Sequence, residues 1–259
     1  MTARLFYDYN DYIFDLYGTL IDVHTDEGSI EFWQKMSEWY AVFGADYEPS
    51  DLGERYRQTV AKEERALGAA TGVALPEIKL ESVFLELLGE APRRHDAKLP
   101  SDMDAWARDT ANVFRILSRD RLVPYEGARE LLEKLRGLGK RTFLLSNAQS
   151  VFTVPEIEVC GLSDLFDGMH LSSDKGAKKP EPAFLEGLMT EYGVDRRRAV
   201  MVGNDWHADM GVAAACGVDG MWVNSDRRSE HEKEVFRAMI RERYGDAYIA
   251  EVESIKDLI

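Results

Sequence analysis

The chain has 259 residues, of which 45% are apolar, and this material supports one large domain or two unequal ones. Its 47 acidic and 32 basic residues give a formal net charge of -15, which argues against nucleic acids and anionic membranes as main partners. The sequence contains no run of ~18 apolar residues and no apolar leader segment, so we expect a cytoplasmic protein without a transmembrane helix or signal peptide.

The first predicted element is a short apolar strand, residues 12–14, that ends in the carboxylate of Asp15. Gly18 follows and permits a sharp turn of the chain, and the Thr19 hydroxyl can hydrogen-bond back into that turn. A carboxylate at the carboxyl end of a buried strand lies where open α/β sheets bind their ligands. Taken alone, Asp15 could also be an ordinary residue that caps a strand end.

Between residues 23 and 122 the apolar residues recur at steps of three and four, the period of amphipathic helices. Four stretches show this period: residues 30–43, 52–67, 80–87 and 106–117. Their aromatic residues follow the same spacing, which favours packing between helices over a ligand site. The basic run Arg93, Arg94 and His95 is a candidate for steering anions, with a solvated surface as the alternative.

From residue 123 onward, short apolar runs alternate with helical stretches. The runs are residues 142–145, 168–171, 199–202 and 220–223. This alternation indicates parallel strands joined by right-handed crossovers. We therefore predict an α/β fold with a doubly wound parallel sheet, formed by residues 1–22 and 123–259, and an inserted all-helical domain over residues 23–122.

Three later segments follow Asp15 in a fixed order. They are Ser146-Asn147 after the second core strand, Lys178-Lys179-Pro180, and Gly203-Asn204-Asp205 with Asp209 beyond. Together the four segments resemble the motifs of the haloacid dehalogenase-like (HAD) hydrolase superfamily: an aspartate nucleophile, a Ser or Thr, a lysine, and an acidic loop. The resemblance covers the core, and it implies a Rossmann-like sheet with a helical cap inserted after the first motif.

The resemblance further implies a magnesium-dependent phosphohydrolase that acts on a small phosphorylated metabolite. Asp15 would attack phosphorus and form an aspartyl-phosphate intermediate. Thr19, Ser146 and Asn147 would bind the substrate phosphate. Lys179, which the following proline distinguishes from its neighbour, would act in catalysis by neutralising the nucleophile and the transferring phosphoryl group together.

By the same resemblance, Mg²⁺ would be bound by the Asp15 carboxylate, the main-chain carbonyl of Tyr17 and a group from the fourth segment. Register favours Asn204 as that group, whereas the preference of Mg²⁺ for carboxylates favours Asp205. Asp209 would support the site by binding metal waters or orienting the lysine. Asp205 and Asp209 could instead only cap the helix that follows.

Tyr17 departs from the pattern of most phosphatases of this superfamily. They carry a second aspartate two residues after the nucleophile, which protonates the leaving group, and Tyr17 occupies that catalytic position here. We therefore expect a substrate with a good leaving group. A tyrosine at this position is typical of the dehalogenase branch, in which the nucleophile attacks carbon without a metal.

Two observations weigh against a 2-haloacid dehalogenase. The acidic residues of the fourth segment would add negative charge beside a carboxylate substrate, and residues 32–40 lack the arginine that this branch uses in an early cap helix. A 2-haloacid dehalogenase remains an alternative, as does a low-turnover protein that binds a phosphorylated ligand or has a regulatory role. The sequence does not indicate an oligomeric state.

Overall fold

The computed structural model describes residues 6–93 and 98–259 of the chain. Its strands, in chain order, are β1 (Asp11–Phe14), β2 (Ile21–Thr25), β3 (Arg119–Pro124), β4 (Arg141–Ser146), β5 (Gly168–Leu171), β6 (Ala199–Gly203), β7 (Asp219–Val223) and β8 (Ile249–Val252). Within the described residues, six of these strands form one parallel sheet in the order β5-β4-β1-β6-β7-β8. The predicted α/β doubly wound parallel sheet is therefore confirmed.

The helices account for most of the remaining ordered chain. In chain order they are α1 (Ile30–Val42), α2 (Pro49–Thr71), α3 (Leu80–Glu90), α4 (Met103–Ser118), α5 (Ala128–Gly137), α6 (Ser150–Val159), α7 (Ser172–Lys175), α8 (Pro182–Tyr192), α9 (Gly211–Cys216) and α10 (Glu230–Tyr244). Helices α1 to α4 pack around an apolar cluster of their own, which includes Trp33, Phe84 and Phe114. We call these four helices the cap.

Strand β1 lies inside the sheet, where the strand order changes direction. All four of its residues are buried, because β4 and β6 pair with it on either side and apolar side chains cover both faces. Phe14 packs in one apolar cluster with Leu131 of α5, whereas Ile13 packs in another with Leu185 of α8. The carboxyl ends of β1, β4 and β6 therefore lie side by side at the position where open α/β sheets bind ligands.

The cap is joined to the sheet through a two-stranded antiparallel ribbon, β2 with β3, in which Asp22 pairs with Val123. The sequence led us to expect an all-helical insertion. The insertion instead begins and ends in the strands of this ribbon. The boundaries that we predicted at residues 22 and 123 fall on paired strands of this ribbon. All residues of these two strands except Ile21 are partly buried or exposed, so neither strand forms an apolar run and the hydropathy pattern did not indicate them.

Two further observations complete the comparison with the sequence. Within residues 6–93 and 98–259, no helix is long and apolar enough to cross a lipid bilayer. Residues 1–5 of the predicted core and residues 94–97 of the predicted insertion, which include Arg94 and His95 of the basic run, lie outside the described residues.

Candidate active site

Asp15 follows β1 directly and begins a tight turn. The N–H of Leu20 donates to the Leu16 carbonyl at 2.8 Å. Gly18 adopts a φ of 85°, in the left-handed region that favours glycine, so the chain can fold back at this point. The turn places Thr19 Oγ1 at 3.3 Å from Asp15 Oδ2. We call residues 15–21 the nucleophile loop.

Lys179 is the central charge of the site. Its Nζ donates to Asp15 Oδ1 at 2.6 Å and to the carbonyl of Leu145 at 2.7 Å, and it pairs with Asp209 Oδ1 at 2.7 Å. The lysine side chain is only 1% exposed. Ser146 Oγ lies 3.5 Å from the same Asp15 oxygen. Residues of the first three predicted motifs and Asp209 of the fourth therefore lie together around the Lys179 ammonium.

Burial and charge act in opposite directions on the groups of this cluster. Burial by itself lowers the pKa of Lys179, but the neighbouring carboxylates of Asp15 and Asp209 outweigh that effect and raise the pKa above its ordinary value. Burial raises the pKa of Asp209 above its ordinary value, against the attraction of the Lys179 ammonium. The lysine therefore stays charged at neutral pH, and it holds the two acids together.

Lys178 has a different environment, as the sequence predicted. Its Nζ pairs with Glu64 of α2 at 2.7 Å, and about a third of each side chain is exposed. Lys178 thus contacts the cap rather than the acids of the site.

Asn147 is hydrogen-bonded to the loop that carries the lysine. Its Nδ2 donates to the Lys179 carbonyl at 3.0 Å, and its Oδ1 accepts the Lys179 N–H at 2.7 Å. Sequence reasoning assigned Asn147 to the substrate phosphate. In the structure its amide bonds the main chain of Lys179, and the residue also lines the cavity described below.

The fourth segment separates the two candidate metal ligands. Asp205 Oδ1 accepts the N–H groups of His207 and Ala208 at 2.7 and 2.8 Å, so this carboxylate caps the helical turn that follows. The Asn204 side chain faces the nucleophile loop, with Oδ1 at 3.2 Å from Thr19 Oγ1. It packs so closely over Gly18 that a Cβ there would lie 2.5 Å from Asn204 Nδ2.

Gly203 also lies too close to a neighbouring side chain to carry a Cβ atom. A Cβ at this position would lie 2.1 Å from Asp209 Oδ2, the oxygen that accepts the Asp205 N–H at 2.9 Å. The absence of a side chain at Gly203 is therefore what allows Asp209 to reach the lysine.

Tyr17 turns its phenol away from Lys179 and toward α6. The hydroxyl donates to Glu156 Oε2 and lies 3.1 Å from Thr153 Oγ1. Burial, and after it the negative charge of Glu156, raise the pKa of Tyr17 further above its ordinary value. A phenol in this position is a poor proton donor to a leaving group at neutral pH.

Sequence reasoning missed Glu156 and its partner Arg115, which forms a bidentate ion pair with it from α4 of the cap. Neither residue belongs to a motif. The one available signal was the placement of Arg115, because this charged residue lies on the buried face of α4 between Phe114 and Ser118.

These residues surround a cavity of about 170 Å³ at the carboxyl end of the sheet. Its lining consists of Asp15, Tyr17, Ser146, Asn147, Lys179, Asn204, Asp205, Ala208 and Asp209. Every predicted site residue except Thr19, which is buried behind Asp15, contributes to this lining. Three of these nine residues are acidic, and Lys179 is the one cationic residue among them.

Comparison with known proteins identifies the family. The family model of haloacid dehalogenase-like hydrolases matches residues 12–217, which is most of the chain. The chain belongs to this family. The predicted family and the predicted hydrolase class are therefore confirmed.

Two relatives of this HAD hydrolase carry the names of phosphatases. The chain is 28% identical to a ribulose-1,5-bisphosphate 5-phosphatase of Halopiger xanaduensis over 62% of its own length and 66% of that protein. It is 30% identical to a glyceraldehyde 3-phosphate phosphatase of Pyrococcus abyssi over 37% of its own length and 40% of that protein. The chain thus spans less than two thirds of the length of either relative.

The fold also resembles that of a 2-haloacid dehalogenase from Pseudomonas syringae pv. tomato. The TM-score is 0.63 at 20% sequence identity, and the match covers 96% of each chain. At this level of identity the similarity shows the fold alone. The choice between the two chemistries therefore depends on the site.

Proposed function

We propose that this HAD hydrolase is a magnesium-dependent phosphohydrolase that acts on a small phosphorylated metabolite through an aspartyl-phosphate intermediate on Asp15. The observation that carries the proposal is the contact of Lys179 with both Asp15 and Asp209 inside a cavity that holds three carboxylates. A phosphate dianion is repelled by such a cavity unless a divalent cation offsets the negative charge. The phosphatase names of the two relatives support the same reaction.

The groups around the nucleophile suit Mg²⁺. The Asp15 carboxylate, the main-chain carbonyl of Tyr17 and the amide oxygen of Asn204 are all oxygen donors, the type that Mg²⁺ prefers. No cluster of three or more acidic, histidine or cysteine residues with metal-binding geometry occurs within the described residues, which agrees with an ion that takes few protein ligands and keeps several waters. We assign Asn204 rather than Asp205 as the ligand, because the Asn204 side chain faces the nucleophile loop whereas the Asp205 carboxylate caps the turn that follows.

The chain's own residues then have distinct roles. Lys179 holds the Asp15 carboxylate for attack on phosphorus, in which the new O–P bond forms as the P–O bond to the leaving group breaks, and its ammonium offsets the charge that develops on the phosphoryl oxygens. The Ser146 hydroxyl donates to a phosphoryl oxygen. Bound Mg²⁺ supplies a Lewis acid that polarises the phosphoryl group. Water subsequently attacks the phosphorus of the aspartyl phosphate and releases inorganic phosphate and the Asp15 carboxylate.

The environment of Tyr17 supports a preference among substrates. Its phenol is committed to Glu156 and faces away from Lys179, so it does not protonate a leaving group. General acid catalysis contributes ~10²–10⁴-fold in rate, and substrates that need it are correspondingly slow. We therefore propose acyl phosphates, pyrophosphates or aryl phosphates as the substrate class. The acidic composition and the absence of paired cysteines are in keeping with a cytoplasmic enzyme of small metabolites.

A 2-haloacid dehalogenase is the second candidate, and Tyr17 is the observation that favours it. Such an enzyme binds a carboxylate substrate with a cation near the nucleophile. Arg115, the buried arginine of the cap, is paired with Glu156 and does not line the cavity. A haloacid would therefore meet three carboxylates and one lysine, which is an unfavourable site for it.

The test is an activity screen of the purified chain with two substrate sets, each assayed with Mg²⁺ and with excess EDTA. One set contains phosphate esters of graded leaving-group pKa, including acetyl phosphate and p-nitrophenyl phosphate. The other is 2-chloropropionate, with halide release as the readout. We expect ester hydrolysis that stops in EDTA and falls steeply as the leaving-group pKa rises. Halide release that continues in EDTA would establish the dehalogenase instead.

A further inference from the structure

Three side chains from separate parts of the chain meet beside the cavity but outside its lysine cluster. They are Tyr17 in the nucleophile loop, Glu156 in core helix α6 and Arg115 in cap helix α4, and we call them the Tyr17–Glu156–Arg115 network. The Glu156 side chain is 4% exposed and that of Arg115 is 11% exposed. The Arg115 guanidinium also lies over the Tyr17 ring, at 5.2 Å from its centroid.

The two oxygens of Glu156 have different partners. Oε1 accepts from Arg115 Nε at 2.7 Å and from Arg119 Nη1 at 2.5 Å. Oε2 accepts from Arg115 Nη2 at 3.0 Å and from the Tyr17 hydroxyl. Arg115 therefore fixes both oxygens and the plane of the carboxylate, including the oxygen that Tyr17 uses. Arg119 contacts only the other oxygen.

Helix α6 is the part of the core on which the cap rests. Gln149, Phe152, Thr153 and Glu156 follow the i, i+3, i+4, i+7 spacing of one helix face, and all four are buried. Gln149 bonds the cap at the other end of this face, where its Oε1 accepts the Leu80 N–H at 3.0 Å. Phe152 packs in the apolar cluster of the cap. The cap thus contacts α6 along its length, only a few residues beyond Ser146.

Separation of the cap from this face would remove Arg115 from a buried carboxylate. Glu156 would keep only its contact with Arg119 through Oε1, and a buried carboxylate that loses its bidentate partner is destabilised, so the network favours a cap that stays docked. The same movement would release the oxygen that holds the Tyr17 phenol. Because Tyr17 lies two residues after Asp15 in a tight turn, its phenol is an anchor for the loop that carries the nucleophile.

We propose that Glu156 is a positioning residue, which holds the nucleophile loop through the Tyr17 phenol only while Arg115 of the docked cap holds Glu156. Cap position and nucleophile geometry are coupled through one carboxylate. The expected effect on kcat rests on the proposed phosphohydrolase, whereas the expected effect on the nucleophile loop does not.

The test is a double-mutant cycle between Tyr17→Phe and Arg115→Lys with p-nitrophenyl phosphate and Mg²⁺. Tyr17→Phe leaves the buried ion pair intact, so it removes the anchor without threatening the fold. We expect each single variant to lower kcat by about tenfold with KM changed less than about twofold, since a displaced nucleophile slows the chemical step. The double variant should be no slower than the slower single variant, because both changes break the same connection.

Glu64→Gln is the matched control. It breaks another ion pair between cap and core, Lys178 with Glu64 at 2.7 Å, which has no contact with the network. It should leave kcat within about twofold of wild type, and its effect should multiply with that of Tyr17→Phe. Multiplicative effects of Arg115→Lys and Tyr17→Phe, or a wild-type kcat for Tyr17→Phe, would overturn the coupling.

Amide hydrogen exchange of the nucleophile loop gives a readout that needs no turnover. Arg115→Lys should accelerate exchange in a peptide covering residues 12–22 when it is made in the wild-type background. In the Tyr17→Phe background it should cause no further acceleration. Glu64→Gln should not change the exchange of this peptide. Unchanged exchange in Arg115→Lys would overturn the coupling even in an active enzyme. A wild type that hydrolyses no phosphate ester would refute the proposed function, and the exchange cycle would still decide the coupling.

Discussion

At the scale of single residues, the two adjacent lysines of the third motif offer a direct test of the site. Lys179 contacts Asp15 and Asp209, whereas Lys178 pairs with Glu64 of the cap. We expect Lys179→Ala to lower kcat for phosphate esters by ~10²-fold or more, because it removes one preorganised charge from a site with little water. Lys178→Ala is the matched control and should change kcat little. Equal losses in the two variants would show that the lysine assignment is wrong.

The fourth motif allows a second test at this scale. Asn caps a helix about as well as Asp does, so Asp205→Asn should preserve the cap of the turn after it while it removes the charge. If Asn204 is the metal ligand, Asp205→Asn should leave the half-saturating Mg²⁺ concentration for activity nearly unchanged. Asn204→Asp should lower that concentration, because Mg²⁺ prefers a carboxylate to an amide. A large rise in the Mg²⁺ requirement of Asp205→Asn would instead assign the metal to Asp205.

At the scale of elements, helix α6 connects the nucleophile loop of the core to the cap through Glu156. The ion pair of Glu156 with Arg115 makes the stability of the protein depend on pH. Burial opposes the charge of Glu156, but hydrogen bonds from Arg115, Tyr17 and Arg119 outweigh it and lower its pKa. A lowered pKa in the folded state stabilises the protein fully above the unfolded value of ~4.3, and this contribution is lost as the pH falls below that value.

We therefore expect the free energy of unfolding in urea to fall more steeply for wild type than for Glu156→Gln as the pH is lowered from ~5 to ~3. The glutamine variant has no carboxylate to protonate at this position, although it should be less stable than wild type at neutral pH. Tyr17→Phe, which keeps the ion pair, serves as the control and should retain most of the wild-type slope. Identical slopes in wild type and Glu156→Gln would contradict the pKa assignment.

The elements that the sequence predicted correctly are those whose burial leaves a recognisable pattern of apolar residues. Strands β1, β4 and β6 are buried on both faces, so they appear as continuous apolar runs, and the cap helices show a helical period because one face packs inward. The edge strand β8 is only partly buried in all four residues, and the ribbon strands are similar, so none of them stands out. Their pairing is a long-range property that local pattern does not encode.

The residues of the site also differ in how far the sequence predicted them. Asp15, Ser146, Lys179 and Asp209 were predictable because motif order reports which strand ends meet in this family. The main-chain contacts of Asn147 and Asp205 were not, since they depend on the geometry of the loops. The direction of the Tyr17 phenol depends on Glu156 and Arg115, which are distant in sequence and belong to no motif.

At the scale of the whole molecule, the fold does not decide the reaction, because relatives named as phosphatases and a structural neighbour named as a dehalogenase fit the same chain. The charge of the molecule is more informative. A net charge of -15 and an acidic cavity both oppose a bare anion. An enzyme of this composition that acts on phosphate esters needs a cation at the nucleophile, and this requirement links the global charge to the proposed use of Mg²⁺.

The most direct test of the central claim is to trap the covalent intermediate. Wild type and Asp15→Asn are mixed with acetyl phosphate in the presence of Mg²⁺ or EDTA, quenched in acid during turnover, digested and mapped by mass spectrometry. We expect one added phosphoryl group on the peptide that contains Asp15, in wild type with Mg²⁺ only. Sustained ester hydrolysis with no phosphoryl group on that peptide, or undiminished turnover by Asp15→Asn, would contradict it.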